Sequence, residues 1–250
     1  MSQDKRPYIS LVIPAYNEEA RLRSTVKGAV LFLRGLGITF EIIIINDGSD
    51  DATESIARDF CRPGGSGYGE TCRLISYALN QGKGFAVRQG VESARGQYLL
   101  ICDADGSIPP GELKKLLPFA RKGYELVVGS RAVPGARGLV DQPWVRRILG
   151  RVFNLLVAFL ITRMASDTQC GFKLLEARTA KKIFSLTTIK GFAFDVEMLY
   201  LARKMGFVLK EVPVRCTSFK RSRVNLFSDS WRMFRDLMKI RLNIWRGVYR

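Results

Sequence analysis

Tyr98-Leu99-Leu100-Ile101-Cys102-Asp103-Ala104-Asp105 is a run of five apolar residues ending on two carboxylates one residue apart. A run this short and this continuous predicts a strand buried on both faces. The same pattern recurs along the first half of the chain. Ile9 to Ile13 is apolar except for Ser10; Pro14 is expected to stop it, and Tyr16-Asn17-Glu18 follows. Glu41 to Asn46 closes on Asp47-Gly48-Ser49, Leu74 to Ala78 reads as a strand, and Glu125 to Gly129 closes on Ser130-Arg131. Between these runs, helical patterning covers Glu18–Gly35, the stretch from a cap at Asp50 or Asp51 to Phe60, Gly84–Ala94 and Leu113–Lys122. Alternating strands and helices with apolar strands predict an α/β fold, a mostly parallel sheet with helices on both faces. Ligands of such sheets bind beyond the carboxyl ends of the strands, where the polar clusters fall.

The second half is less regular. Helices are expected over Trp144–Met164, Asp195–Met205 and Leu226–Tyr249, and strands over Gly171–Leu175 and Val208–Arg215. Arg62 to Thr71 is Gly-rich and reads as a loop. No repeat or linker interrupts the 250 residues, which is ample length for one continuous core.

Composition narrows the chemistry. Forty Lys and Arg against 23 Asp and Glu give a net charge of +17, which implies an anionic partner. The chain has no histidine, so mechanisms needing an imidazole are excluded. Its five cysteines are odd in number and form no C-x-x-C pair, so neither a disulfide framework nor a zinc site is expected. Met1 to Arg6 carries no apolar signal segment, which points to a reducing, cytoplasmic setting. The longest nearly pure apolar run, Val152 to Ile161, reaches only about half of a ~30 Å bilayer core.

Two carboxylates at the end of a buried strand repel each other unless a cation compensates them, and a hard divalent ion shared with a diphosphate would do so. A tight turn before Gly106, Pro109 and Pro110 accounts for Asp103-Ala104-Asp105 equally well in isolation. Its company favours the ion. Val12-Ile13-Pro14-Ala15-Tyr16-Asn17-Glu18-Glu19, Ile45-Asn46-Asp47-Gly48-Ser49-Asp50-Asp51, Asn80-Gln81-Gly82-Lys83-Gly84 and Asp103-Ala104-Asp105 follow in that order over about the first 130 residues. Together they resemble the family 2 glycosyltransferases, whose nucleotide-sugar-binding domain has the Rossmann-like GT-A fold. Asn46 stands where many members carry a further Asp.

The resemblance implies that Pro14, Tyr16, Glu18 and Asp47 line a nucleoside pocket, although Pro14 and Tyr16 also suit a strand stop with core packing. It implies that Lys83 and Ala104 lie along the nucleotide sugar, that Asp105 is the primary ligand of Mg²⁺ or Mn²⁺, and that Asp103 contacts the metal or the ribose. The segment at Lys83 is not a P-loop, because Gly84 and Phe85 replace the Ser or Thr that holds magnesium. A tight glycine turn at a helix start, with Lys83 beside the anionic end of the nucleotide, is expected instead.

Ser166-Asp167-Thr168-Gln169-Cys170-Gly171-Phe172-Lys173-Leu174 resembles the dolichyl-phosphate β-glucosyltransferase branch, and more loosely the dolichyl-phosphate mannose synthases. That likeness implies an inverting transfer, from UDP-glucose in preference to GDP-mannose or another UDP-sugar, onto a dolichyl or other polyprenyl phosphate. Asp167 then lies near the reacting centre, acting on the acceptor or a sugar hydroxyl, or else paired structurally with an arginine. Candidates for binding the acceptor phosphate are Arg131, Arg146, Arg147, Lys220, Arg221 and Arg223, with Arg131 foremost at its strand end. In this division residues 1–225 form the GT-A domain, about 1–130 on the donor side and 131–225 on the acceptor side, and 226–250 form a basic helix.

Residues 215–250 hold ten basic and two acidic side chains. On a helical wheel Trp231, Phe234, Met238, Leu242 and Trp245 share a sector that Met233, Leu237, Ile240 and Ile244 widen, and basic residues gather opposite. A helix of this kind lies in a membrane interface and is drawn to an anionic leaflet. Trp144–Met164 has a similar pattern and suits the interface, the core or a dimer contact alike. The expected setting is therefore peripheral, at the cytoplasmic face of a membrane. A nucleic-acid-binding protein would explain the charge but not the paired carboxylates, and the chain carries no recognisable nucleic-acid module. A processive polysaccharide synthase is disfavoured by the lack of a spanning segment, and a lipid-binding module accounts for the tail alone. Oligomeric state does not follow from the sequence.

Overall fold

The computed structural model describes residues 6–63, 71–136, 144–162, 165–217 and 226–249; the side chains of 144–147, 149, 151 and 226–229 are not described. Seven strands form one sheet: β1 (Ile9–Ala15), β2 (Phe40–Asp47), β3 (Cys72–Tyr77), β4 (Tyr98–Cys102), β5 (Leu126–Ser130), β6 (Phe172–Glu176) and β7 (Leu209–Pro213). Their order is β3-β2-β1-β4-β6-β5-β7, and every pairing is parallel except those of β6 with β4 and β5. The strand order reverses between β1 and β4, and the clusters expected to bind ligand flank this switch point.

Alternation along the strands divides the core in two. Ile9, Leu11, Ile13, Ile42 and Ile44 face one layer, packed against α1 (Leu22–Gly35), α2 (Thr53–Cys61) and α4 (Leu113–Arg121). Val12, Ile43 and Ile45 face the other, packed against α3 (Lys83–Ser93), α6 (Ala177–Phe184) and α7 (Phe194–Lys204). Each fully buried aliphatic side chain contributes about 1.5–3 kcal/mol, which is why these continuous apolar runs become central strands. Helices therefore cover both faces of the sheet.

Several boundaries move for local reasons. Pro14 does not stop β1, because it lies beyond the last β1–β4 pair, Val12 with Ile101, where a missing ladder donor costs least. α1 begins at Leu22 rather than Glu18, since residues 17–19 are bonded to the loop after β2. α2 starts after Ala52, and Asp51 accepts the Thr53 N–H at 2.9 Å. α6 was not expected. The expectation about disulfides is corrected as well: Cys61, ending α2, and Cys72, opening β3, are bonded where the chain doubles back. Cys102, Cys170 and Cys216 are buried outside the disulfide, and burial pushes the Cys170 thiol up to about 12.

α5 (Trp144–Leu160) and α8 (Leu226–Trp245) pack together on the α3/α7 side. The apolar sector of α8 is split. Leu237 and Ile240 are buried in the core, whereas Trp231, Phe234, Met238, Leu242 and Trp245 remain in the open, Trp245 by 82%. On α5, Val157 is buried while Ile148, Val152, Leu155, Leu156 and Phe159 are exposed, Phe159 by 86%. Among the described residues no helix is long and apolar enough to cross a membrane.

Candidate active site

The loops after β1 and β2 are joined to one another. Asn17, in the left-handed region at φ 56°, donates its N–H to Ser49 Oγ at 2.9 Å, and its Oδ1 accepts the Asp50 N–H at 2.8 Å. The Glu18 N–H donates to Thr53 Oγ1 at 2.6 Å, and the Glu18 carboxylate is forked to Arg21 at 2.7 Å. Tyr16, next in sequence to Asn17, is 42% exposed.

Asp47 is buried, and its two carboxylate oxygens accept the N–H groups of Gln81 and Gly82 at 2.8 and 2.9 Å. Burial raises its pKa, and these two bonds oppose the rise. Asp47 thus fixes the turn that carries Lys83. Asn46, beside it, donates to Ser76 Oγ at 3.0 Å and accepts the Ser49 N–H at 3.3 Å. The start of α3 is not an open anion cradle, because the Lys190 carbonyl accepts both the Gly84 N–H at 2.7 Å and the Phe85 N–H at 3.2 Å. Any role for this turn toward phosphate falls to the Lys83 side chain.

Lys83 Nζ lies 2.6 Å from Asp103 Oδ1. Burial by itself would lower the Lys83 pKa, but Asp103, Asp195 and Asp105 outweigh it and hold the ammonium above its ordinary value. Asp105 is turned by its Oδ1, which accepts the Ser107 N–H at 2.8 Å, and the Ala104 carbonyl accepts the Thr25 hydroxyl at 2.9 Å. The Asp103 carboxylate presses on the Gly171 backbone, so that a Cβ at Gly171 would overlap it. The opening of β6 is therefore tied to the close of β4.

Behind this pair lies a second one that the sequence reading missed. Lys173 of β6 is 1% exposed, with Nζ 2.7 Å from Asp195 Oδ1 of α7 and donating to the Cys170 carbonyl. Burial raises the Asp195 pKa, against the pull of Lys173 and Lys83. Two lysines thus face Asp103, Asp105 and Asp195, one negative charge in excess. A divalent cation entering here would reverse that balance and attract a diphosphate. Among the described residues no group of three His, Cys, Asp or Glu side chains is placed to hold a metal. Asp105 and Asp103 offer the hard oxygen donors that Mg²⁺ and Mn²⁺ accept, so they fit such an ion if substrate oxygens complete its shell.

Asp167, for which pairing with an arginine was the alternative to a place at the reacting centre, is paired with Arg131. Arg131 donates through Nε at 2.7 Å, Nη2 at 2.9 Å and its backbone N–H at 3.0 Å, and Gln169 adds a fourth N–H at 3.3 Å. Burial would raise the Asp167 pKa, but the guanidinium and these bonds bring it below the ordinary carboxylate value. The loop is held from two sides, by Glu211 of β7 accepting the Ser166 and Asp167 N–H groups and by Asn154 of α5 bonding Ser166 and Thr168. The side chains of Arg146 and Arg147, and residues Lys220, Arg221 and Arg223, lie outside the described residues. A signal for the missed groups was present. Lys173 and Asp195 are charges set inside apolar runs, Phe172-Lys173-Leu174-Leu175 and Phe194-Asp195-Val196, where an unpaired charge would be prohibitive.

Comparison with known proteins places the chain in a family. The model of the family described as Glycosyl transferase family 2 matches residues 10–184. A dolichyl-phosphate beta-glucosyltransferase of Drosophila melanogaster is 38% identical over 254 residues, covering 97% of this chain and 77% of that protein. Those of Dictyostelium discoideum and Saccharomyces cerevisiae are 36% and 34% identical, covering 97% and 99% of this chain and 76% and 78% of theirs. Among solved structures, the glucosyl-3-phosphoglycerate synthase of Mycobacterium tuberculosis in complex with UDP superposes with a TM-score of 0.68 at 19% identity, over 94% of this chain and 80% of that one. The same enzyme with Mn²⁺, UDP-glucose and phosphoglyceric acid gives 0.65, again at 19% identity and with the same coverage.

Proposed function

Since the chain belongs to glycosyl transferase family 2 and is a glycosyltransferase, we propose that it moves glucose from UDP-glucose to a dolichyl or other polyprenyl phosphate. The observation that carries this reading is the rim cluster, in which Asp47, Lys83, Asp103 and Asp105 meet at the carboxyl ends of β2 and β4. The dolichyl-phosphate beta-glucosyltransferases that match nearly the whole chain support glucose and the lipid phosphate.

Asp105 and Asp103 would hold Mg²⁺ or Mn²⁺, which when bound supplies the positive charge that makes the nucleoside diphosphate a good leaving group. Lys83 adds a second positive charge on the same side of the diphosphate and keeps Asp103 aimed. Asp47 holds the Lys83 turn in place, and Tyr16 borders the nucleoside. The acceptor phosphate meets Arg131, whose Nε and Nη2 are occupied by Asp167, so that among the described residues Nη1 is the end left for the anion. Asp167 therefore orients this guanidinium and does not need to take a proton. A phosphate monoester, with its second pKa near 6, is already largely ionised at neutral pH. Its oxygen attacks the anomeric carbon opposite the leaving group. The new C–O–P bond forms as the bond to the diphosphate breaks, UDP departs, and an α-linked donor gives a β-linked product.

The exposed apolar stripes of α5 and α8, bordered by Arg232, Arg235, Lys239, Arg241 and Arg246, suit a peripheral seat on an anionic membrane face. We assign that face to the cytoplasmic side, where the rim could reach a lipid-borne phosphate. The test is incubation with a polyprenyl phosphate and a panel of nucleotide sugars, with Mn²⁺ or EDTA, followed by mass analysis of the lipid. A hexose added from UDP-glucose only with the metal is expected. Transfer from GDP-mannose alone would replace the donor, and full turnover in EDTA would remove the metal.

A further inference from the structure

α8 touches more than its neighbours in the core. Glu197 of α7 is fully buried, and its carboxylate gathers the segment before α7, accepting the Thr188 N–H at 2.9 Å, the Thr188 hydroxyl at 2.7 Å and the Ile189 N–H at 2.9 Å. The remaining donor comes from beyond α8, where the Tyr249 hydroxyl donates to Glu197 Oε1 at 2.6 Å. Asn243 of α8 donates to Thr188 Oγ1 at 2.9 Å and to the Tyr249 oxygen at 3.2 Å, and Lys204 fixes the Tyr249 carbonyl at 2.8 Å. Asp236 of α8 abuts Gly191, where a Cβ would come 2.7 Å from its Oδ2.

The segment held in this way delivers the Lys190 carbonyl to the Gly84 and Phe85 N–H groups. The fit leaves no slack, since a Cβ on Gly82 would lie 2.5 Å from that carbonyl oxygen and one on Gly84 2.6 Å from the Ile189 oxygen. Lys83 sits between these two glycines. A chain of bonded groups therefore runs from α8 through Glu197 to the turn that presents Lys83 to Asp103.

We propose that α8 positions the donor side of the active site: Tyr249 and Asn243, through Glu197 and Thr188, set the Lys190 carbonyl that fixes the Lys83 turn. They are positioning residues and touch no substrate. The inference rests on the proposed glycosyl transfer only where it names the donor; the mechanical link is independent of it.

The test compares the full chain with Tyr249→Phe, which removes one hydroxyl and keeps the ring packed on Tyr200, and with Thr188→Val as a second, independent variant. Hydrogen exchange read by mass spectrometry is expected to speed up by roughly tenfold in peptides covering 82–86 and 188–191, with β4 unchanged. UDP binding with Mn²⁺, measured calorimetrically, is expected to weaken by roughly tenfold, with the KM for UDP-glucose rising alike while kcat and the acceptor KM hold. Exchange at 82–86 that stays at the wild-type rate in both variants overturns the proposal, whatever the wild type binds. Faster exchange with no UDP binding by the wild type keeps the link and removes the donor assignment instead.

Discussion

Replacing Asp167 by Asn keeps the shape of the side chain and removes its charge, which isolates what the pairing with Arg131 contributes. In the native chain the carboxylate accepts four N–H donors, three of them from Arg131, and its side chain is 6% exposed against 28% for the guanidinium. The amide offers one oxygen where two were used and sets an NH₂ group against a cation. Breaking a buried pair by removing one partner costs about 3–5 kcal/mol, and the partial exposure of Arg131 argues for the lower end, about 3 kcal/mol. For a domain of this size that loss lowers Tm by roughly 6–12 °C. Because the folded pKa of Asp167 is depressed, its stabilisation is complete above the unfolded value near ~3.9 and is lost as pH falls through the folded value. The gap between wild type and Asp167→Asn should therefore be full at pH 7, begin to narrow near the unfolded value and close only below the folded one. Adding Arg131→Met to Asp167→Asn should recover about 1–2 kcal/mol, since the stranded charge is gone, while turnover stays low for want of the acceptor cation. Urea unfolding at several pH values and initial rates with saturating substrates measure both effects. A Tm loss under about 3 °C, or a double variant no more stable than the single one, would refute the pairing argument. Wild-type kcat in Asp167→Asn would refute its role in orienting Arg131.

Gly171→Ala should displace the Asp103 carboxylate, destabilise the fold by about 1–3 kcal/mol and lower kcat/KM at least tenfold, read by thermal unfolding and rates. Asp105→Ala should abolish metal-dependent turnover while leaving Tm within about 2 °C, because the bond it accepts from the Ser107 N–H closes a half-buried turn. Phe159→Ser and Trp245→Ser should each weaken partition onto anionic vesicles by roughly tenfold with little change in stability. Sedimentation with vesicles decides this, and unchanged binding in the double variant would take α5 and α8 off the membrane.

The central strands were legible because burial on both faces leaves an unbroken apolar run, and β4 matched its expected bounds residue for residue. The end of β1 was misread because proline's cost depends on whether a neighbour lies alongside, and the short β4 cannot be inferred from residues 9–15. α6 escaped notice because Lys181-Lys182 masks the buried Ala180 and Ile183 on its other face. The aspartates at the strand ends were visible as a set, since the chain returns each of them to the same rim. Lys173 and Asp195, and the hydrogen-bonded Glu197, were not assigned, because a charge inside an apolar run shows that a partner is needed without naming which distant segment supplies it. The wheel of α8 placed all its apolar residues on one side, yet only the packing against α7 and Glu197 divides them into an inner and an outer row.

The reversed strand β6 divides the molecule into a sheet frame and an insert. β5 reaches the rim at Ser130 and β6 leaves it again at Phe172, so the whole excursion between them, α5 included, begins and ends at the same opening. An excursion anchored in this way can lengthen, shorten or change its chemistry without disturbing the register of a single strand. One sheet can then keep its grip on a nucleotide while the insert is exchanged to suit a different recipient.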